Sequence, residues 1–109
     1  MASTYKVLAQ SAPSATTNTD VYTVGSGKSA VVSTITVCNR DTSSATYRLA
    51  VRPAGATIAN QHYIIYGTSV PASDTISLTL GITLAATDVV TVYASTANLS
   101  FNLFGAEIA

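Results

Sequence analysis

The chain holds one histidine, His62, and one cysteine, Cys38. As a metal ligand His62 would need Cys, His, Asp or Glu partners, and no spacing ties it to Cys38. It stands beside Tyr63 in a strand-like run and reads as a structural or surface residue. Cys38 lies between Val37 and Asn39, where a strand meets a turn. A reactive thiol needs an electropositive site that lowers its pKa. Only Arg40 is near in sequence, so Cys38 reads as a buried, inert thiol. A single cysteine also excludes an intrachain disulfide framework and a cysteine-rich zinc site.

The carboxylates are Asp20, Asp41, Asp74, Asp88 and Glu107. Glycosidase-type chemistry needs two converging carboxyls, one with a raised pKa. Four of these acids fall instead at turns or strand starts, where Asp accepts nearby backbone N–H groups. No nucleophile-elbow pattern accompanies the many serines. Gly25-Ser26-Gly27-Lys28-Ser29 matches the tail of a phosphate-binding loop. The position of that loop's first glycine is Tyr22, however, and a strand follows where a helix is needed. The segment reads as a hairpin turn. Asn98-Leu99-Ser100 is a formal glycosylation sequon, discounted because Met1-Ala2-Ser3-Thr4 opens polar and meets no apolar leader. No catalytic, cofactor-binding or metal-binding residue is assigned, no cofactor is expected, and the chain is expected not to be an enzyme.

Two residue types remain that bind without reacting. Tyr22, Tyr47, Tyr63, Tyr66 and Tyr93 offer apolar faces with hydroxyl tips, the material of a sugar-binding platform. The absence of Trp weighs against a lectin, and most Tyr in a small β protein serve core or rim. Arg40, Arg48 and Arg52 cluster in one region, with Arg48 and Arg52 on one strand face. Arginines so placed pair more often with acids across strands or subunits than with nucleic acid.

The elements that must carry these residues are strands. Apolar residues alternate with polar ones, and Val, Ile, Thr and Tyr dominate. Tyr5 to Gln10 is the first strand, with Tyr5, Val7 and Ala9 on one face. A polar loop from Ser11 to Asn18 contains Pro13. Asp20 to Val24 follows, then Ser29 to Asn39, whose two half-buried faces place it centrally in a sheet. Thr46 to Arg52 turns Tyr47, Leu49 and Val51 one way. The five-residue polar turn Arg40 to Ser44 between these last two runs predicts a hairpin. Pro53 to Ala56 breaks the pattern, and Thr57 to Gln61 is a helical turn or loop. His62 to Tyr66 is a strand, and Gly67 to Ser73 a loop. Asp74 to Leu80 turns Ile76, Leu78 and Leu80 inward, with a bulge or close backbone approach at Gly81. Val89 to Ser95 and Asn98 to Ile108 complete the set, with a bulge expected at Gly105 and Phe104 expected in the chain's own core. About eight strands with turns between them predict an antiparallel β-sandwich, Ig-like or jelly-roll-like.

At 109 residues this is one domain. Residues 1–19 contribute a strand and a polar loop that reads as an attachment arm, and residues 20–109 the sandwich body. Composition narrows the partners. Thr, Ala and Ser occupy 47 positions, and only 9% of residues are charged, against roughly 25% in an average domain. Net charge is zero, which makes no field for nucleic acid. The apolar runs fall far short of the roughly 18 residues of a membrane span. Ser, Thr and Ala allow close approach, and few charges must be desolvated. Such a surface suits packing against copies of itself or other subunits.

Four segments carry a resemblance that covers residues 4–109. They are Tyr5 to Leu8 with Ala12 to Thr17, Val31 to Arg40, Gly81 to Ser95, and Leu99 to Ile108. Together they resemble small structural proteins of tailed bacteriophages, including phages of marine cyanobacteria. The resemblance implies a virion component with a β-sandwich fold, made in the host cytoplasm: a capsid decoration, neck or head-fibre element, or tail-fibre accessory. It implies other virion proteins and copies of itself as partners, with a trimer expected. A receptor- or glycan-binding module is the alternative, with contacts on the loops Arg40 to Ser44 and Gly67 to Ser73. The resemblance lies in strand and turn patterns and transfers no functional residue.

Overall fold

The computed structural model describes residues 2–109. Eight strands are divided between two sheets: β1 (Ser3–Ser11), β2 (Thr19–Thr23), β3 (Ser29–Asn39), β4 (Ala45–Arg52), β5 (Tyr63–Val70), β6 (Thr75–Leu84), β7 (Val89–Ala94) and β8 (Leu99–Ile108). The first sheet runs β1-β8-β3-β6 and the second β2-β7-β4-β5, and every pairing is antiparallel. Strand 1 pairs with 8, 2 with 7, 3 with 6 and 4 with 5. The chain is thus one long hairpin wrapped into a barrel-like sandwich, which is the jelly-roll wind. The expected sandwich is observed, and of the two topologies considered the strand order is the jelly roll.

Alternation along the strands builds the core. Tyr47 and Leu49 from β4, Val90 and Val92 from β7, and Leu99, Phe101 and Leu103 from β8 meet between the sheets. Tyr47 and Phe101 contact edge to face, with ring centroids 6.1 Å apart, a favoured aromatic geometry. β3 is central, as its two half-buried faces predict.

Bulges explain most departures from the sequence reading. On β1, Val7 faces Phe104 and Ala9 faces Leu103, so Leu8 is an extra residue. The alternation therefore changes phase. Tyr5 and Val7 point outward and are exposed, while Leu8 and Ala9 pack against the core. On β3 the extra residue is Ser33, so Ala30 and Val32 are buried before it, and Ile35, Val37 and Asn39 after it. Opposite these bulges sits Gly105, where a Cβ would lie 1.9 Å from the Val31 carbonyl oxygen. Phe104 consequently faces out at 36% exposure, not into the core. Gly81, at φ +63°, sits in the β6 irregularity and leaves Leu80 42% exposed instead of buried. Gly67, at φ +82°, is a bulge within β5, which continues to Val70, so no loop begins there.

The expected hairpin between β3 and β4 does not form, because the two strands lie in different sheets. The same holds for the turn at Gly25 to Lys28. It closes with Lys28 N–H donating to the Gly25 carbonyl at 3.2 Å, but it crosses between β2 and β3 in opposite sheets. A five-residue connection fits either a hairpin or a sheet-to-sheet arch, so spacing alone does not choose. Asn39, 1% exposed, makes the choice. Its amide donates to the carbonyls of Ser43 at 2.9 Å and Val70 at 3.1 Å, and its carbonyl accepts the Asp41 N–H at 3.0 Å.

Replacing Gly105 by Ala drives a methyl group into the β3 backbone. A stability loss of at least about 2 kcal/mol is expected, read as a lower urea midpoint. An unchanged midpoint would show that β3 and β8 do not approach this closely.

Candidate functional site

Arg48 occupies the middle of the second sheet's outer face. It lies directly opposite Tyr66 on β5 and Tyr93 on β7, so one row runs across three strands. The guanidinium carbon stands 4.2 Å from the Tyr66 ring centroid and 4.1 Å from that of Tyr93. Both distances are within the roughly 6 Å range of cation–π attraction. Tyr63 meets Tyr66 edge to face at 4.9 Å. Asn60, Tyr63 and Tyr66 line a shallow cavity of about 360 Å³ beside this row. Of the five tyrosines considered for a platform, the structure brings together Tyr63, Tyr66 and Tyr93. Tyr22 and Tyr47 belong to the core.

The other two arginines are committed. Arg52 donates to Thr91 Oγ1 at 3.0 Å, to the carbonyls of Gly55 and Ala56, and to Asp20 at 2.7 Å, its ion-pair partner. Arg40 donates to Ser100 Oγ at 2.9 Å and to the Ala97 carbonyl at 3.0 Å. Among the described residues Arg48 makes no hydrogen bond or ion pair with protein. Its charge is held by rings alone.

The outer face of the first sheet has a different character. Alternation and register place Tyr5, Val7 and Gln10 of β1, Asn102, Phe104, Ala106 and Ile108 of β8, and Val31, Thr34, Thr36 and Cys38 of β3 on it. Thr75, Ser77, Thr79 and Thr83 complete it on β6. None of these residues is Lys, Arg, Asp or Glu, and at the end of the face, where Ser100 lies beside Cys38, the Arg40 guanidinium donates to the Ser100 hydroxyl at 2.9 Å. Tyr5 is 85% exposed. Beside it Val31, Ser33, Gly105 and Ala106 help line an apolar depression of about 310 Å³. Cys38 is half-buried on this face, not sealed in the core, because the Ser33 bulge turns it outward.

The remaining candidates are structural. His62 closes a short 3₁₀ turn (Asn60–His62), where its Nδ1 accepts the Ala59 N–H at 3.0 Å. Asp88 accepts the N–H groups of Ala54 and Ala85, and Asp74 that of Thr75. Asp41 accepts the Thr42 N–H and the Asn98 amide, and these bonds, Thr42's first, hold its carboxyl below the usual range. The sequon asparagine is therefore engaged by Asp41. The loop Arg40 to Ser44, expected as a contact loop, spends much of its polar capacity inside the fold. Among the described residues no three of His, Cys, Asp and Glu come together as metal ligands would. Among the described residues no helix is long and apolar enough to cross a membrane.

Glu107 ties the open margin where β1 and β2 face each other. It accepts the Tyr22 hydroxyl at 2.6 Å across the two sheets and pairs with Lys6 at 2.8 Å. The Lys6 ammonium first, then the Tyr22 hydroxyl, hold its carboxyl below the usual range. Burial, then the hydrogen bond to Glu107, push the Tyr22 phenol far upward, so it stays a donor.

The chain matches no protein-family model, and no curated protein matches it.

The depressed Glu107 carboxyl stabilises the fold fully above the unfolded-state value of about 4.3. That contribution is lost as pH falls through the lower folded value. Glu107→Gln should therefore be less stable than the parent at pH 7, with the difference shrinking on acidification. Urea midpoints across pH read this directly. A difference that does not change with pH would mean that the Glu107 charge contributes nothing.

Proposed function

We propose that the chain is a non-enzymatic structural subunit of a bacteriophage virion, seated through the outer face of its first sheet. The single observation that carries the docking role is that face: it is four strands wide, its strands contribute no charged side chain to it, and Arg40 reaches it at one end, against Ser100. The virion assignment rests on the sequence resemblance alone.

Charge placement makes the face distinctive. The ten charged residues fall on the second sheet (Asp20, Arg48, Arg52), at the β1–β2 margin (Lys6, Glu107) and at the two ends (Lys28, Asp88; Arg40, Asp41, Asp74). Burying the first face away from its Arg40 end therefore strips water from hydroxyls and apolar groups but from no ion, which avoids the largest desolvation cost. Ten residues of strand and four strand spacings give it about 34 Å by about 19 Å. That is roughly 650 Å², close to the roughly 800 Å² each partner gives a stable interface.

A second copy is the partner that matches. An uncharged face meets an uncharged face, and the projecting Tyr5 lies beside the depression at Gly105 and Ala106, a knob and a hollow on one surface. Such a contact is isologous and builds a twofold pair, where the resemblance led to the expectation of a trimer. Edge-to-edge growth is disfavoured, since the edge strands β1, β2, β5 and β6 are each interrupted by a bulge or register shift, a common protection of sheet edges.

Light scattering over a range of concentrations should show a dimer that gives way to monomer in Val7→Lys, with thermal stability retained. A parent that stays monomeric throughout, or a folded Val7→Lys that still dimerises, would overturn the docking role. Mass spectrometry of purified particles encoded with this gene should find the chain at many copies per virion. Its absence from them would remove the virion assignment.

A further inference from the structure

We infer that the outer face of the second sheet carries a binding site for a carboxylated sugar, built on Arg48 between Tyr66 and Tyr93. This site is independent of the docking face, which lies on the opposite side of the sandwich.

The argument begins with what Arg48 lacks. A guanidinium presents five N–H donors in a planar fork, and Arg40 and Arg52 each use several of theirs on protein oxygens. Arg48 uses none among the described residues. Rings close to it on either side, at 4.2 Å and 4.1 Å, hold the side chain in place by stacking, which leaves the donors at its edge unused. A cation fixed in position with free donors is preorganised for an anion, because little freedom remains to be lost on binding. The nearest acid on this sheet, Asp20, already pairs with Arg52.

The shape of the donor edge selects the anion. Two parallel N–H groups match the two oxygens of a carboxylate or phosphate. The surroundings select what bears it. Tyr66 is 63% exposed, and its ring offers an apolar platform with a hydroxyl at its rim, suited to the C–H face of a pyranose. The adjoining cavity, about 360 Å³ and lined by Asn60, Tyr63 and Tyr66, is within the range of small-molecule clefts, about 300–1,000 Å³. The Asn60 amide supplies a donor and an acceptor for ring hydroxyls. One anionic group attached to an apolar-faced, hydroxyl-bearing ring describes an acidic sugar. A nucleic acid fits less well, because its phosphates need a track of cations. Arg48 is the only uncommitted cation in this row, and the chain carries no net charge.

The test titrates the full chain with a glucuronate-containing tetrasaccharide, its carboxyl-reduced counterpart, acetate, and a short single-stranded oligonucleotide. Isothermal calorimetry and tyrosine-ring NMR shifts are the readouts. Binding of the acidic tetrasaccharide is expected, at least about tenfold tighter than its reduced counterpart and than acetate. Arg48→Gln should abolish that preference. Arg48→Lys, which keeps the charge but loses the fork, should recover only part of it. Tyr66→Ala should weaken binding and Tyr66→Phe largely keep it, all four variants retaining the parent's circular dichroism. Equal affinity for the reduced sugar, acetate as tight as the sugar, or a preference for the oligonucleotide would overturn the proposal. So would failure of the tetrasaccharide to bind, or binding that Arg48→Gln leaves unchanged.

Discussion

The fold depends on one buried amide. Asn39 ends the central strand β3 and lies almost without solvent, where an unpaired polar group costs about 1–3 kcal/mol. Its bonds to Ser43, Val70 and Asp41 offset that cost. They fasten the β3–β4 turn to the end of β5, and the Asn39 N–H reaches the Asp74 carbonyl of the β5–β6 turn. Arg40 and Asp41 extend the same junction to the β7–β8 turn through Asn98 and Ala97. Chain segments far apart in sequence thus share one corner. That corner sends β4 into the second sheet, and the jelly-roll wind follows from it.

Once the two sheets are wound, their outer faces are set apart chemically. The first is hydroxyl-rich and takes no charge from its own strands, with Tyr5, Val7 and Phe104 as apolar projections and Arg40 at one end. The second holds an arginine gripped by rings and an Asp20–Arg52 pair. Ion pairs at exposed sites add little stability, typically under about 1 kcal/mol, and this chain has few of them. Its stability rests instead on the inter-sheet core and on polar ties such as Tyr22–Glu107–Lys6. The scarcity of charge is concentrated where it has an effect, on one whole face. A subunit seated by that face would turn the Arg48 row toward solvent, so docking and recognition would not compete for the same surface.

Much of this was legible in the sequence, because period-two alternation marks strands plainly. Eight strands form in the expected order, although β5 and β6 run on past Gly67 and Leu80, and the central place of β3 and the inward Tyr47 and Leu49 follow from the pattern. Two kinds of feature were hidden. Bulges at Leu8 and Ser33 shift the phase of alternation without any local signature, so unbroken alternation puts Tyr5 on one face with Ala9, and Phe104 and Cys38 inside. Topology was the other. Asn39 looks like any polar residue ending a strand, and nothing local distinguishes an arch from a hairpin. The Arg48 site was half visible. The tyrosines and the strand face of Arg48 could be read, but the cross-strand register that puts Tyr66 and Tyr93 on either side of it could not.

Division of labour between the two outer faces is open to one direct measurement. Backbone and side-chain NMR shifts followed as the protein is concentrated report which surface meets a partner copy. Changes are expected only on the first sheet's outer face, at Tyr5, Val7, Thr36 and Phe104, with Arg48, Tyr66 and Tyr93 unmoved. Changes centred on the Arg48 row, or spread along the edge strands β5 and β6, would contradict that division.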